Sequence, residues 1–263
     1  MGKIIAVANQ KGGVGKTTTA VNLSACLANI EKKVLMVDID PQGNGSSGLG
    51  VVKRTKMKNT YSLIIEGEDI SKCITKTNMN NLKLIPSNIE LAGAEIELVS
   101  MMAREFALKN ALSSIKDEYD YIIIDCPPSL GLLTLNALNA ADSVLIPIQC
   151  EFYALEGLGQ LVNTISMVKK KLNPNLEIEG ILLTMFDPRR NLSLQVVEEV
   201  KKHFKEKVYP VMIPRNVRLS EAPSHGMSII QYDVNSKGAE CYCELAHMVV
   251  NGIPRKEHRF FKR

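Results

Sequence analysis

Two lysines frame a glycine-rich turn near the start of the chain, Lys11-Gly12-Gly13-Val14-Gly15-Lys16-Thr17-Thr18. The turn follows the apolar run Ile4-Ile5-Ala6-Val7-Ala8 and precedes a helix-forming stretch, the context in which Gly-Lys-Thr binds phosphate. Glycines let backbone N–H groups approach phosphate oxygens, and a helix that starts near Lys16 aims its positive end at them. Gln10 occupies the place where such loops usually have their first glycine. Lys16 is placed to reach the outer phosphates, and Thr17 to offer its hydroxyl to Mg2+. Lys11 is not needed to cradle the phosphates. It reads as a charge offered beyond the chain's own pocket, for example to a nucleotide on a partner subunit.

Two more apolar runs end in acids: Val37-Asp38-Ile39-Asp40-Pro41 and Ile122-Ile123-Ile124-Asp125-Cys126. A lone aspartate at a strand end is often only a helix cap. Two of them behind one phosphate loop read as a site, because ligands of such sheets bind at the carboxyl ends of the strands. Asp125 is expected to hold Mg2+ through water and Asp40 to orient or polarise the attacking water. The expected reaction is in-line attack of water on a γ-phosphoryl group, achieved mostly by positioning and charge neutralisation.

Seven short runs read as strands: 4–8, 34–38, 82–86, 121–125, 144–148, 181–185 and 209–213. Most are apolar throughout, as expected of parallel strands covered on both faces. Helical stretches are expected at 17–29, 89–115, 132–140, 157–172, 194–204 and 239–250. The alternation predicts a doubly wound α/β fold, a mostly parallel sheet with helices on both faces. Residues 1–251 read as a single domain and 252–263 as a basic tail, while 51–81 is expected to be a polar surface excursion.

No apolar run reaches the roughly 18 residues of a membrane span, and Met1-Gly2-Lys3-Ile4 has no signal-peptide pattern. A cytoplasmic location is expected. The six cysteines read as buried thiols of a reducing compartment, with Cys241-x-Cys243 the only close pair. Residues 252–263 hold five Lys/Arg and one acid, which accounts for the net charge of +4 and leaves 27 basic and 27 acidic residues in the first 251. Any attraction for nucleic acid must therefore come from a local patch. From Arg189 to Arg218 eight basic residues face three acids: Arg189, Arg190, Lys201, Lys202, Lys205, Lys207, Arg215 and Arg218 against Glu198, Glu199 and Glu206. Taken alone, this run reads as a solvated helix face.

Five segments together resemble the ParA/Soj chromosome-partitioning ATPases: the two-lysine loop, Asp38-Ile-Asp-Pro-Gln-Gly-Asn44, Ile122-Ile-Ile-Asp-Cys-Pro-Pro-Ser129, Gln149-Cys-Glu-Phe-Tyr-Ala-Leu-Glu-Gly157 and Ile213-Pro-Arg-Asn-Val-Arg-Leu-Ser-Glu-Ala-Pro-Ser224. The resemblance covers residues from about 3 to 250. It implies an ATP- and Mg2+-dependent homodimer with phosphate-loop ATPase architecture, located on the nucleoid. Lys11 would reach the other subunit's ATP, Lys16 and Thr17 would serve phosphate and metal, Asp40 would be needed for hydrolysis, and Asp125 would be the second acidic motif. Met185, Pro214 and Asn216, with Arg215 between them, fall where the family encloses adenine. The resemblance also turns the basic run into a non-specific double-stranded DNA surface (Arg189, Arg190, Lys201, Lys202, Lys205, Arg218), and it implies slow hydrolysis stimulated by a ParB-type protein. Where the family often has Ala-Thr, this chain has Gly45-Ser46, a change expected to loosen the switch. The related MinD ATPases end in a membrane-binding helix. The short tail, with Phe260 and Phe261 among basic residues, is a weak counterpart, so a membrane-cycling division regulator is the alternative reading.

Overall fold

The computed structural model describes residues 2–51, 57–151 and 154–253, with backbone only for 154–156. The strands are β1 (Lys3–Val7), β2 (Val34–Asp38), β3 (Thr75–Lys76), β4 (Leu82–Ile85), β5 (Tyr121–Asp125), β6 (Ser143–Gln149), β7 (Glu177–Phe186) and β8 (Val208–Pro214). They form one sheet in the order β3-β4-β2-β5-β1-β6-β7-β8. Every pairing is parallel except β3 with β4. This is the expected doubly wound α/β architecture.

Strand residues alternate between two cores. Ile4, Ala6, Ile122 and Ile124 face one layer, while Ile5, Val7 and Ile123 face the other. The helix Lys16–Asn29, which carries the chain from β1 leftward to β2, packs in the second layer. The helix Leu132–Ala140, which carries it rightward from β5 to β6, packs in the first. Right-handed crossovers in opposite directions must use opposite faces. The chain thus changes direction beside β1, where strand order reverses and a crevice opens at the carboxyl edge.

Two sequence expectations need correction. The helix expected over 89–115 divides into Leu91–Ser100, a 3-10 turn Arg104–Phe106 and Ala107–Ser113. The break is held by Asn136, whose amide donates to Arg104 O and whose Oδ1 accepts from Leu108 N, and by Asn139 Nδ2, which donates to Glu105 O. These side chains satisfy backbone groups that a continuous helix would pair internally. The stretch 51–81 is not a surface excursion where it is described. It contains helices Thr60–Ile64 and Ile70–Cys73 and strand β3. Leu63, Ile64, Ile70 and Cys73 are buried in the core. Its polar residues Asn59 and Asp69 are helix caps, accepting from Tyr61 N and Ser71 N. Residues 52–56 of that stretch and 254–263 of the expected tail lie outside the described residues. Among the described residues no helix is long and apolar enough to cross a membrane.

Candidate nucleotide site

The glycine-rich loop leaves β1 and runs directly into the helix Lys16–Asn29. Gly13 (φ 74°) and Gly15 (φ 89°) take left-handed conformations that other residues adopt with strain. The helix has no side-chain N-cap, so its first N–H groups are left for a ligand. Three hydrogen bonds from side chains outside the loop fix its shape. Asn9 Oδ1 accepts from Lys11 N at 3.0 Å, while Asn9 Nδ2 donates to Pro147 O at 2.7 Å. Thr184 Oγ1, from β7, donates to Val14 O at 2.8 Å. Gly12 and Gly13 are exposed, and nothing lies within 4 Å of a Cβ built on Gly13, so the loop opens outward as a cradle.

Lys16 is buried at 6% exposure, and its ammonium donates to Lys11 O at 3.0 Å across the loop. Burial pushes its pKa down, opposed first by Asp125 and then by Cys126 and Asp40. Strand register brings the acids together: Val7 pairs with Asp125, and Asp125 pairs with Asp38. Asp125 is wholly buried; neither of its carboxylate oxygens makes a hydrogen bond of good geometry, and the Thr17 hydroxyl beside it eases its ionisation. Burial, and next Asp38, hold its pKa well above the usual carboxylate range. Buried carboxylate oxygens without a well-formed hydrogen bond, beside a phosphate-type loop, are what a cation, directly or through water, would satisfy. Among the described residues no three His, Cys, Asp or Glu side chains cluster as a metal cage. Mg2+ is usually held by one or two protein groups, phosphate oxygens and water.

Asp40 is buried, and its Oδ1 accepts from Gln42 N at 2.9 Å, which shapes the turn after β2. Reading from sequence missed the roles of Asp38 and Ser46. Asp38 Oδ2 accepts from both Ser46 N and Ser46 Oγ at 2.7 Å, and Ser46 Oγ accepts from Ser87 N at 2.9 Å. The segment after Asp40 is thereby tied to β2 and to the residues after β4. Gly45 is not a loose point in it. A Cβ there would stand 2.6 Å from Met36 Cε and 3.1 Å from both Asp125 Oδ2 and Asp38 Oδ2. Asp38 was visible two positions before Asp40, but its bonding depends on a fold-back that no spacing announces.

A cavity of about 560 Å³ opens beside the loop. It is lined by Gly15, Thr18, Met185, Pro214, Arg215 and Asn216 among others, so the four residues expected around adenine share one wall next to the phosphate cradle. Met185 holds φ 51° at the carboxyl end of β7, a conformation uncommon for a non-glycine residue. Asn216 Oδ1 accepts from Leu219 N and starts the helix Val217–Glu221. Glu151, also unassigned by the sequence, accepts from Arg215 Nη2 at 3.0 Å and from Gln149 Nε2 at 2.7 Å, and lies 4.0 Å from Lys11 Nζ.

Five of the six residues expected to bind DNA fall at the two ends of one helix. Arg189 and Arg190 follow the carboxyl end of β7, and Arg218 follows that of the adjacent parallel strand β8. Lys201 and Lys202 lie in the last turn of the helix Asn191–Phe204 and Lys205 just after it; the helix returns to the opposite edge of the sheet, about 20 Å away at 1.5 Å per residue. Acids also temper the charge. Asp187 pairs with Arg189 (3.0 Å) and Arg190 (3.6 Å), Glu199 with Lys202 (3.8 Å), and Glu221 and Asp233 with Arg218 (3.0 and 3.5 Å).

A family model described as an AAA domain matches residues 2–178. The chain is 63% identical over 249 residues to the sporulation initiation inhibitor protein Soj of Bacillus subtilis (strain 168), covering 95% of this chain and 98% of that protein. It is 58% identical over 259 residues to the chromosome partitioning protein ParA of Myxococcus xanthus (strain DK1622), covering 98% and 92%. Among solved structures it is similar to cobyrinic acid a,c-diamide synthase from Mycobacterium smegmatis with bound ATP analog and magnesium, with a TM-score of 0.83, 38% identity and 95% of each chain covered.

Proposed function

The chain belongs to the ParA/Soj family of chromosome-partitioning ATPases, and from that premise we propose that it is an ATP-driven dimerisation switch whose ATP-bound dimer attaches non-specifically to double-stranded DNA on the nucleoid. The observation that carries this reading is the pairing of a two-lysine phosphate loop with the wholly buried carboxylate of Asp125, whose oxygens make no hydrogen bond of good geometry and which has the Thr17 hydroxyl beside it. ATP and Mg2+ are the ligands that this combination fits. Lys16 and the loop N–H groups of Gly12 to Thr18 hold the phosphates. Thr17, Asp125 and Asp40 would hold the cation, the acids through water, and the cation would neutralise charge on the transferring phosphoryl group.

Asp40 orients the attacking water. Met185, Pro214, Arg215 and Asn216 enclose the base. Lys11 reaches the nucleotide of the second subunit, so that two subunits close over two nucleotides. Dimerisation brings two copies of the Arg189, Arg190 and Arg218 edge onto one DNA, and joined patches bind much more tightly than one because each phosphate neutralised adds to affinity. A ParB-type protein stimulates the slow hydrolysis that resets the cycle. The membrane-cycling alternative is not favoured. It rests on residues 254–263, which lie outside the described residues, and the relatives named above carry sporulation and partition names.

The test is size exclusion with and without ATP for wild type and Asp40→Ala, followed by DNA binding of each peak. Wild type should dimerise with ATP and revert as ATP is consumed, and Asp40→Ala should remain a DNA-bound dimer. An Asp40→Ala protein that turns over ATP at the wild-type rate would remove Asp40 from the mechanism. A dimer that pellets with lipid vesicles and not with DNA would end the partition reading.

A further inference from the structure

Cys26 Sγ and Cys243 Sγ lie 3.4 Å apart, although the two residues are 217 positions apart in the chain. Cys26 sits on the helix Lys16–Asn29, which begins at the phosphate loop, and Cys243 on the C-terminal helix Lys237–Asn251. The same helices meet a second time nearer the nucleotide site, where Thr19 Oγ1 and Tyr242 Oη share a hydrogen bond at 3.2 Å. Cys241, the other half of the Cys-x-Cys pair, is buried two positions back on the helix and so on a different face. Cys26 is 1% exposed, whereas Cys243 is only partly buried and open to a reagent.

We propose that Cys26 and Cys243 form a redox-active dithiol, a modification site that closes to an intramolecular disulfide on reaction with an oxidised low-molecular-weight thiol. Closing to the covalent length of about 2.05 Å needs only about 1.4 Å of further approach. Cys243 is the attacking thiol. The hydrogen bond from Cys26 pulls its pKa down to about 7 against the effect of burial, and that same bond and burial push Cys26 up. The Cys243 thiolate attacks one sulfur of the small disulfide, forming a mixed disulfide and releasing one small thiolate. Cys26 then gives its proton to solvent and attacks Cys243 Sγ, releasing the second. Two protein thiols are oxidised and one small disulfide is reduced to two thiols. The product staples the C-terminal helix to the helix of the phosphate loop.

The experiment incubates the reduced full chain with oxidised glutathione, alkylates the remaining thiols and maps peptides without reduction. Four of the six cysteines should be alkylated, and the Cys26 and Cys243 peptides should be joined. The unfolding midpoint of the oxidised protein should rise by about 5–15 °C and fall back with dithiothreitol, because the link closes a very long loop. Cys241→Ser should cross-link normally, and Cys26→Ser should instead keep glutathione on Cys243 with no rise in midpoint. A Cys241–Cys243 link, an intermolecular link, or glutathione retained on Cys243 in the wild type would overturn the proposal.

Discussion

Glu151 Oε2 lies 4.0 Å from Lys11 Nζ, so the side chain of Lys11 rests beside a carboxylate of its own chain. Both side chains are partly exposed, 33% for Lys11 and 41% for Glu151, and the contact is longer than a hydrogen bond. Such a pair is worth less than about 1 kcal/mol. Lys11 is therefore kept near the loop without being held there. Replacing Glu151 by Gln should lower the ATP concentration at half-maximal dimerisation by no more than about fivefold. Lys11→Ala should leave ATP binding by the monomer in place and abolish the dimer. Sedimentation velocity over an ATP titration, with equilibrium dialysis for binding, checks both. A dimer formed by Lys11→Ala with ATP would show that this lysine does not serve the partner's nucleotide.

Asp38 supplies a prediction about pH. It is wholly buried, and burial holds its carboxyl up to about 6 in spite of hydrogen bonds from Ser46 and Asp40. The unfolded chain releases this proton near pH 4. A folded-state pKa above the unfolded one means the folded form binds the proton more tightly. The resulting stability is present below about pH 4 and is lost as pH rises to about 6, by at most about 3 kcal/mol. Asp125 acts in the same direction. Asp187 and Glu68, held down to about 2 by Arg189 and Lys72 respectively, are half-buried and act below that window. Thermal midpoints of the nucleotide-free protein should fall as pH rises from about 4 to about 6. Asp38→Asn should flatten the slope, and an equal slope in that variant would assign the effect elsewhere.

Much of this site is legible in the sequence because its parts are local. A strand, a glycine turn and a helix are contiguous, so Lys16 and Thr17 are placed by backbone geometry alone. Asp40 and Asp125 follow from the rule that strand ends face the ligand. What the sequence hides is set by contacts across long separations. Asn136 breaking a helix some 30 residues away, Thr184 bracing Val14, and Ser46 tying Asp38 to Ser87 carry no periodic signal. The basic run shows a different effect of the fold. Residues close in sequence are separated by a returning helix, which carries Lys201 away from Arg189.

That separation gives two candidate DNA surfaces to tell apart. Arg189 and Arg218 flank the nucleotide end of the sheet, with side chains 87% and 55% exposed. Their ion pairs with acids lie at the surface, and pairs of this kind are readily given up to phosphate. Arg189→Glu with Arg218→Glu should weaken DNA binding by the ATP dimer at least tenfold. It should also reduce the slope of log affinity against log salt by about 0.9 for each phosphate no longer neutralised. Lys201→Ala, Lys202→Ala and Lys205→Ala combined should change the slope less. Basal hydrolysis should persist in both sets. Fluorescence anisotropy at several salt concentrations separates the outcomes, and a larger effect from the lysine set would move the DNA surface to the opposite edge.

Gly45 is the place where the switch and the strand core compete for space. An added Cβ meets Met36 Cε at 2.6 Å, and Met36 is wholly buried in β2. Methionine is flexible and can give way, at a cost of about 1 kcal/mol for overpacking. Alanine in place of glycine within the helix Asn44–Gly48 gains a similar amount. Gly45→Ala alone should therefore change the unfolding free energy by less than about 1 kcal/mol, as the sum of these opposed effects. The conflict appears in the pair. Met36→Ala should cost about 2–5 kcal/mol in the parent protein by opening a cavity. With Gly45→Ala it should cost at least about 0.5 kcal/mol less, because the new methyl occupies part of the space and is relieved of the clash. Urea titrations of the four proteins give the coupling energy directly. Strict additivity would show that Met36 does not press on Gly45. A coupled pair with altered ATP turnover in Gly45→Ala would connect that pressure to Asp125, whose Oδ2 lies only 3.1 Å from the same added carbon.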